Sequence, residues 1–275
     1  MFKKILFLMD LEGINKVKGE AYQGLVHGCD EWKIAIAQAV LEINAAAGAL
    51  FDAGVSSIDL WDNHGGKPNI DTSLLDPRIT SVFPDKSKPR LYFAKNGYDC
   101  VCFFGYHAME GTLGGVLAHT MSSVAVQHYK INGKYVGEVD MDSYITAEYG
   151  IPSCFFAGGD IACAQAKRIL PDILTVVTKR EISRNEAEFR DNDELFADIK
   201  ETIVKAVNLP IEPKKFVFPA TFEKSYKRVE DAAKYLDKLT HLGISAEHPT
   251  DEILGRDAHT VVSTVHNISE FISCI

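Results

Sequence analysis

Lys4-Ile5-Leu6-Phe7-Leu8-Met9-Asp10-Leu11-Glu12-Gly13 opens the chain with a short unbroken apolar run that stops at two carboxylates. So short a run, bounded by polar residues and glycine, reads as a strand covered on both faces rather than a helix. The pattern recurs twice. Ile58-Asp59-Leu60-Trp61 runs into Asp62 and His64, and Val101-Cys102-Phe103-Phe104-Gly105-Tyr106 runs into His107. In an open parallel sheet, ligands bind at the carboxyl ends of the strands. Three strands that deliver carboxylate and imidazole to one sheet edge predict a metal site and an enzyme.

The intervening segments agree with this. Asp30 is the expected N-cap of a helix over 31–53, with Ile34, Ala37, Val40, Leu41 and Ile43 near helical spacing and Gly54 as the stop. With a strand at Val55–Trp61 this is a βαβ unit, so its two strands should be parallel. Further strands are expected at Ile79–Phe83, Asp99–Gly105, Ser153–Ala157 and Ile173–Thr178. Asn132-Gly133 marks a type I′ hairpin turn between Val124–Tyr129 and Lys134–Val136. Helices are expected over 138–149 and 161–170, the second capped by Asp160. Beyond residue 180 the charge density rises. A helix over 193–207, a strand at Lys215–Thr221 and a helix over 225–239 follow. Residues 257–272 carry both helical spacing and strand-favouring Val and Thr. The fold class is α/β, a mostly parallel central sheet flanked by helices, with a smaller α+β C-terminal domain. The expected division is 1–182, an α/β metal-binding catalytic domain, and 183–275.

Composition is that of an ordinary globular protein, with 46% hydrophobic and 24% charged residues among 275. The net charge of -9 argues against a nucleic-acid partner, which needs a basic face. The N-terminal apolar run is too short for a signal peptide and ends at Asp10, and no stretch reads as a membrane span, so no membrane partner is expected. The six cysteines form no C-x-x-C pair and sit mostly among apolar neighbours, as reduced core thiols of a cytoplasmic protein do.

Asp10, Glu12, Asp62, His64, His107, His119 and Glu138 are more than one metal needs and suit two ions with a catalytic side chain. Asp10 and Glu12, read as alternating along an extended backbone, share one side, and a carboxylate can bridge two cations. A pair of divalent ions about 3.5–4 Å apart activates water for hydrolysis. Mixed carboxylate and imidazole donors suit Zn2+, with Mn2+ or Fe2+ also accommodated. Gly158-Gly159-Asp160 is either a site for a substrate group at a helix N-terminus or a tight turn with a cap. His128 reads as structural, and His27, His241, His248, His259 and His266 receive no role. There is no G-x-S-x-G elbow and no P-loop.

In order, Asp10-Leu11-Glu12-Gly13-Ile14, Asp62-Asn63-His64, Gly105-Tyr106-His107-Ala108, Gly115-Val116-Leu117-Ala118-His119-Thr120-Met121 and Val136-Gly137-Glu138 resemble the signature segments of the DppA-type D-aminopeptidase family, the M55 metallopeptidases. The resemblance is good over roughly residues 4–180 and looser beyond. It implies a dinuclear zinc site in which Asp10 bridges, Glu12 and His64 complete one metal, and His107 and Glu138 complete the other. His119 would be the catalytic histidine, and Asp62 would orient a ligand. Asn63 stands where the family has Ser, and the stretch between His107 and His119 is slightly longer than the family norm; that loop is expected to line the substrate pocket. The resemblance also implies a short peptide substrate, D-amino-acid-containing, and a homo-oligomer, a decameric ring.

The functional expectation is a zinc-dependent aminopeptidase acting on such peptides. Two other classes stay open. One is a metal-dependent hydrolase of another amide or ester. The other is a non-catalytic metal- or small-molecule-binding protein on the same scaffold.

Overall fold

The computed structural model describes residues 1–21, 24–85 and 87–275. The chain runs β1 (Lys4–Met9), α1 (Asp30–Asp52), β2 (Ser57–Asp62), β3 (Ile79–Val82), β4 (Cys100–Tyr106), β5 (Val126–Ile131), β6 (Lys134–Tyr135), α2 (Glu138–Glu148), β7 (Ser153–Gly158), α3 (Asp160–Ile169) and β8 (Leu174–Val177). It continues through β9 (Lys179–Ser183), β10 (Glu186–Phe189), α4 (Asn192–Ala206), β11 (Ala220–Tyr226), α5 (Val229–His241), β12 (Ala246–Glu247), β13 (Thr250–Asp251), β14 (Gly255–Arg256), β15 (Thr260–Val265) and α6 (Ile268–Cys274).

Six strands form a parallel sheet in the order β3-β2-β1-β4-β7-β8. The chain builds outward from β1 through β2 to β3, then returns to the other side of β1 with β4. The switch point therefore lies between β1 and β4, where such sheets open a crevice for ligands. Side-chain alternation divides the core. Ile5, Phe7 and Met9 face α1 and α4, through Ala39, Ile43, Leu50, Ile199 and Ile203. Leu6 and Leu8 face the second core, which holds α2 residues Val139, Met141 and Ile145 and residues of the antiparallel sheet. Both faces are covered, which is why these strands read as continuous apolar runs. Cys100, Cys102 and Cys154 lie together in the first core as thiols. By length and composition α1 could cross a membrane. In the structure it is a core helix, its buried stripe of Ala35, Ala39, Ile43, Ala46 and Leu50 packed on the parallel sheet.

The antiparallel sheet has the order β12-β15-β11-β5-β6. Its β5–β6 hairpin turns through Asn132 (φ 49°) and Gly133 (φ 74°), the type I′ turn expected. Because β5 pairs with β11 and carries β6 on its other edge, this sheet draws from both sides of residue 182. Conversely α4, which follows that residue, packs on α1 and the parallel sheet.

Several local expectations are corrected. Cys29, not Asp30, caps α1, its Sγ accepting from Trp32 N. Gly159 is the N-cap of α3, and Asp160 Oδ1 instead accepts from Glu181 N. The strand expected at 215–221 is β11, five residues later; Pro219 lacks an N–H, and pairing with Val265 starts at Ala220. That shift holds Ser225 and Tyr226 in the sheet and delays α5 to Val229. Residues 257–272 contain both structures, β15 and then α6, separated by Asn267, which caps α6 by accepting from Glu270 N.

Candidate metal centre

Asp10 follows the last residue of β1, and its N–H donates to Phe104 O on β4. The backbone then turns instead of staying extended. Ile14 N donates to Leu11 O, and Gly13 N donates to Gly105 O. Glu12 thus reaches the sheet edge from a turn. The turn lies directly on β4: Gly105 has φ +68°, and a Cβ there would stand 2.1 Å from Asp10 O. Only glycine permits this approach. Beneath the turn, Thr178 Oγ1 donates to Gly13 O, and the buried Lys179 ammonium donates to the carbonyls of Glu12, Ile14 and Val17. Burial draws the Lys179 pKa down to about 8.

Asp10, Glu12, His107 and Glu138 are buried, and His64 is nearly so. The two oxygens of Asp10 point to different partners. Oδ1 lies 3.0 Å from His64 Nδ1, which also lies 3.2 Å from Glu12 Oε2. Oδ2 lies 3.6 Å from His107 Nε2, which lies 3.5 Å from Glu138 Oε1. Every ligand expected from the sequence therefore comes to one place, with Asp10 between two clusters.

The histidine tautomers follow from their neighbours. His107 Nδ1 faces Ala108 O at 3.0 Å, and His119 Nδ1 faces Leu117 O at 2.9 Å. A carbonyl only accepts, so each Nδ1 carries the hydrogen and each Nε2 is left for a ligand or a proton. The two rings stack, with centroids 4.0 Å apart and planes 11° from parallel. His119 Nε2 lies 3.9 Å from Glu138 Oε1. The segment bearing His119 is held between Leu117 (φ 51°) and Met121 (φ 63°), and Met121 N donates to Glu138 Oε1. Positive φ is uncommon for such residues and marks a segment held by its surroundings.

The donors fit a cation pair. His107 Nε2 is buried with no hydrogen-bond partner among the described residues. It stands between two carboxylates, too far from either to bond and close enough to share an ion. Burial opposes ionisation of Glu12, yet the His64 imidazole beside it outweighs that and holds its carboxyl well below the usual range. Burial likewise opposes protonation of His64, but Glu12 and Asp10 push it up to about 11. The centre is strongly negative, and in the bare chain protons on imidazole answer it. Carboxylate and imidazole at these positions are a zinc-type donor set.

Other residues depart from expectation or were missed. Asp62 does not touch an imidazole; it accepts from Asn69 N, Asn69 Nδ2 and Ile70 N and so folds the loop that carries His64. The 109–113 stretch does not line the cleft. Met109 N and Thr112 Oγ1 are tied to Gln165 on α3, away from it. The cleft, about 360 Å3, is lined instead by Gly24–Val26, the His64 loop, 117–124 and Arg184. The N-terminus of α3 is already filled, because Glu181 accepts from Ile161 N and Val116 N. His128 pairs with Glu223 in the antiparallel sheet, as a structural residue.

Sequence reading missed Arg90 and Asp142. Arg90 grips Asp142 with Nε and Nη2 at 2.6 and 2.7 Å, donates to Asn63 Oδ1, and lies 3.9 Å from Glu138 Oε2. Tyr106 OH donates to Asp142 as well. Asp142 lies one helical turn beyond Glu138, a spacing that puts both carboxylates on one face and was the available signal. Arg90 sits in a loop with no local signal.

The family model for M55 peptidases, described as D-aminopeptidase, matches residues 3–241. A D-aminopeptidase of Bacillus subtilis (strain 168) is 26% identical over 183 residues, covering 66% of this chain; the chain spans 65% of that relative's length. A solved structure, the Zn-dependent D-aminopeptidase DppA from Bacillus subtilis, a self-compartmentalizing protease, superposes with a TM-score of 0.85 at 20% identity, covering 98% of this chain and 94% of that one. Fold, strand-end donors and sequence match together place this chain in the M55 D-aminopeptidase family.

Proposed function

We propose that the protein is a zinc-dependent aminopeptidase that hydrolyses short peptides, D-amino-acid-containing ones, at a dinuclear site held by Asp10, Glu12, His64, His107 and Glu138. The observation that carries this reading is the division of Asp10, one oxygen toward His64 and Glu12, the other toward His107 and Glu138. When bound, the ions would lower the pKa of a shared water and polarise the scissile carbonyl. The rest falls to the chain's own groups. Leu117 O fixes the His119 tautomer, leaving Nε2 to move a proton or donate to the developing oxyanion. The stack on His107 holds the ring plane. Met121 N and Arg90 hold the two oxygens of Glu138 apart. The acidic centre receives the free substrate amine, which accounts for removal of an N-terminal residue.

The similar structure is described as self-compartmentalizing, which supports a homo-oligomer here; a decameric ring is the assembly we propose. The unpaired thiols support a cytoplasmic location.

Plasma mass spectrometry on the purified protein should find about two zinc ions per chain, and Asp10→Ala should lose them. A panel of D- and L-aminoacyl peptides and amides should then show cleavage confined to the free N-terminus. No bound metal, and no gain on adding zinc or manganese, would overturn the reading in favour of a binding protein.

A further inference from the structure

We propose that Arg184 binds the C-terminal carboxylate of the substrate, so that the site selects short peptides with a free carboxyl terminus; this rests on the aminopeptidase reading above. Each of the other arginines, Arg78, Arg90, Arg168, Arg180, Arg190, Arg228 and Arg256, has a carboxylate within 4.0 Å. Arg184 is the exception, with no ion pair among the described residues. Among the described residues it is also the one Arg or Lys lining the cleft over Asp10, Glu12 and Glu138; Arg90 and Lys88 line the adjoining hollow, where Arg90 is already paired with Asp142.

Its place follows from two contacts with the catalytic segment. Leu117 N donates to Arg184 O, and Arg184 Nη1 donates to Ala118 O at 2.7 Å. The guanidinium is thereby fixed beside the peptide unit that precedes His119. One of its five N–H groups is used, and the others remain for a planar acceptor such as carboxylate. A free peptide is an ammonium at one end and a carboxylate at the other. Its ammonium end must enter the acidic centre, where the first carbonyl reacts. Its carboxylate is repelled from that centre and meets Arg184, which lines the same cleft. A peptide with a blocked C-terminus leaves the guanidinium without its partner.

The competing role is mechanical, with Arg184 acting only as a prop for His119. Steady-state hydrolysis of D-alanyl-D-alanine and of its C-terminal amide by the zinc-loaded protein separates the two. In the wild type, the free acid should have a KM lower than the amide by about tenfold, the scale of a charge-assisted pair. In Arg184→Met that ratio should fall toward one, and Arg184→Lys should restore part of it. A prop would instead lower kcat for acid and amide alike and leave the KM ratio intact, which overturns the proposal. Calorimetric titration in a His119→Gln background reads the same contact without turnover. If the acid binds preferentially and Arg184→Met abolishes the preference, yet the wild type cleaves neither compound, the carboxylate contact stands and the hydrolase reading falls. If the wild type cleaves both with equal KM, the hydrolase reading stands and the role of Arg184 falls.

Discussion

At the scale of single residues, chemistry depends on which groups are held and which are free. His107 and His119 stack and have the same carbonyl-fixed tautomer, but His107 is enclosed by Asp10 and Glu138, whereas His119 meets Glu138 at 3.9 Å and lines the cleft. His119→Gln should therefore lower kcat by roughly 10²–10⁴ with metal content unchanged. Loss of an ion in that variant, read by the same metal analysis, would make His119 a ligand. The candidate donors Asp10, Glu12, His64 and His107 were legible because each follows an apolar run, and Glu138 through the family resemblance. Arg90, Lys179 and Arg184 were not, since their contacts lie 52, about 165 and 66 residues away in sequence. No local pattern encodes such a distance.

At the scale of elements, the site depends on the turn after β1 resting on β4. Gly105→Ala would place a methyl 2.1 Å from Asp10 O at a positive φ. We expect a loss of more than about 2 kcal/mol in urea unfolding, with metal binding lost as the turn is displaced. The same turn is tied to α1 through Glu42, whose Oε1 accepts from Asn15 N and Gln38 Nε2 while Oε2 is buried without a partner among the described residues. Burial, against those donors, raises the Glu42 carboxyl to about 7. The folded state then binds a proton that the unfolded chain, with the ordinary Glu value of 4.5, has already released. Stability should fall as pH rises from about 4.5 to about 7 and level off above, by on the order of 3 kcal/mol from this group. Glu42→Gln should remove that slope, as measured by unfolding at pH 5 and pH 8 in the metal-free protein; an unchanged slope would assign it elsewhere. Element types were well read where periodicity was strong. They slipped after residue 210, where prolines and short strands leave the register to pairing with β5 and β15.

At the scale of the whole molecule, one acidic centre sits at the carboxyl edge of the parallel sheet, between its two cores. Three carboxylates crowded at a sheet edge repel one another, so ions bound only to the folded state stabilise it. Zinc at 1,000 times its dissociation constant would add about 4 kcal/mol. Chelation should lower the calorimetric Tm and zinc should restore it, with Asp10→Ala insensitive to both. An identical Tm with and without chelator would mean that the fold does not use the metal. The division expected at residue 182 does not follow the layers. A hairpin before it joins strands after it, because pairing edges and buried faces, not chain order, decide which elements associate.

The sequence alone determined the parallel α/β sheet, the strand-end donors and the family resemblance, since these rest on local periodicity and on residue types at fixed offsets. Tertiary structure alone decided that Asp10 faces two clusters, that Glu12 arrives from a turn held by Lys179, that Arg90 stands against Glu138, and that Arg184 has no carboxylate partner among the described residues. These depend on the relative placement of segments far apart in the chain. That placement is set by packing and by the satisfaction of buried polar groups, which no window of sequence contains.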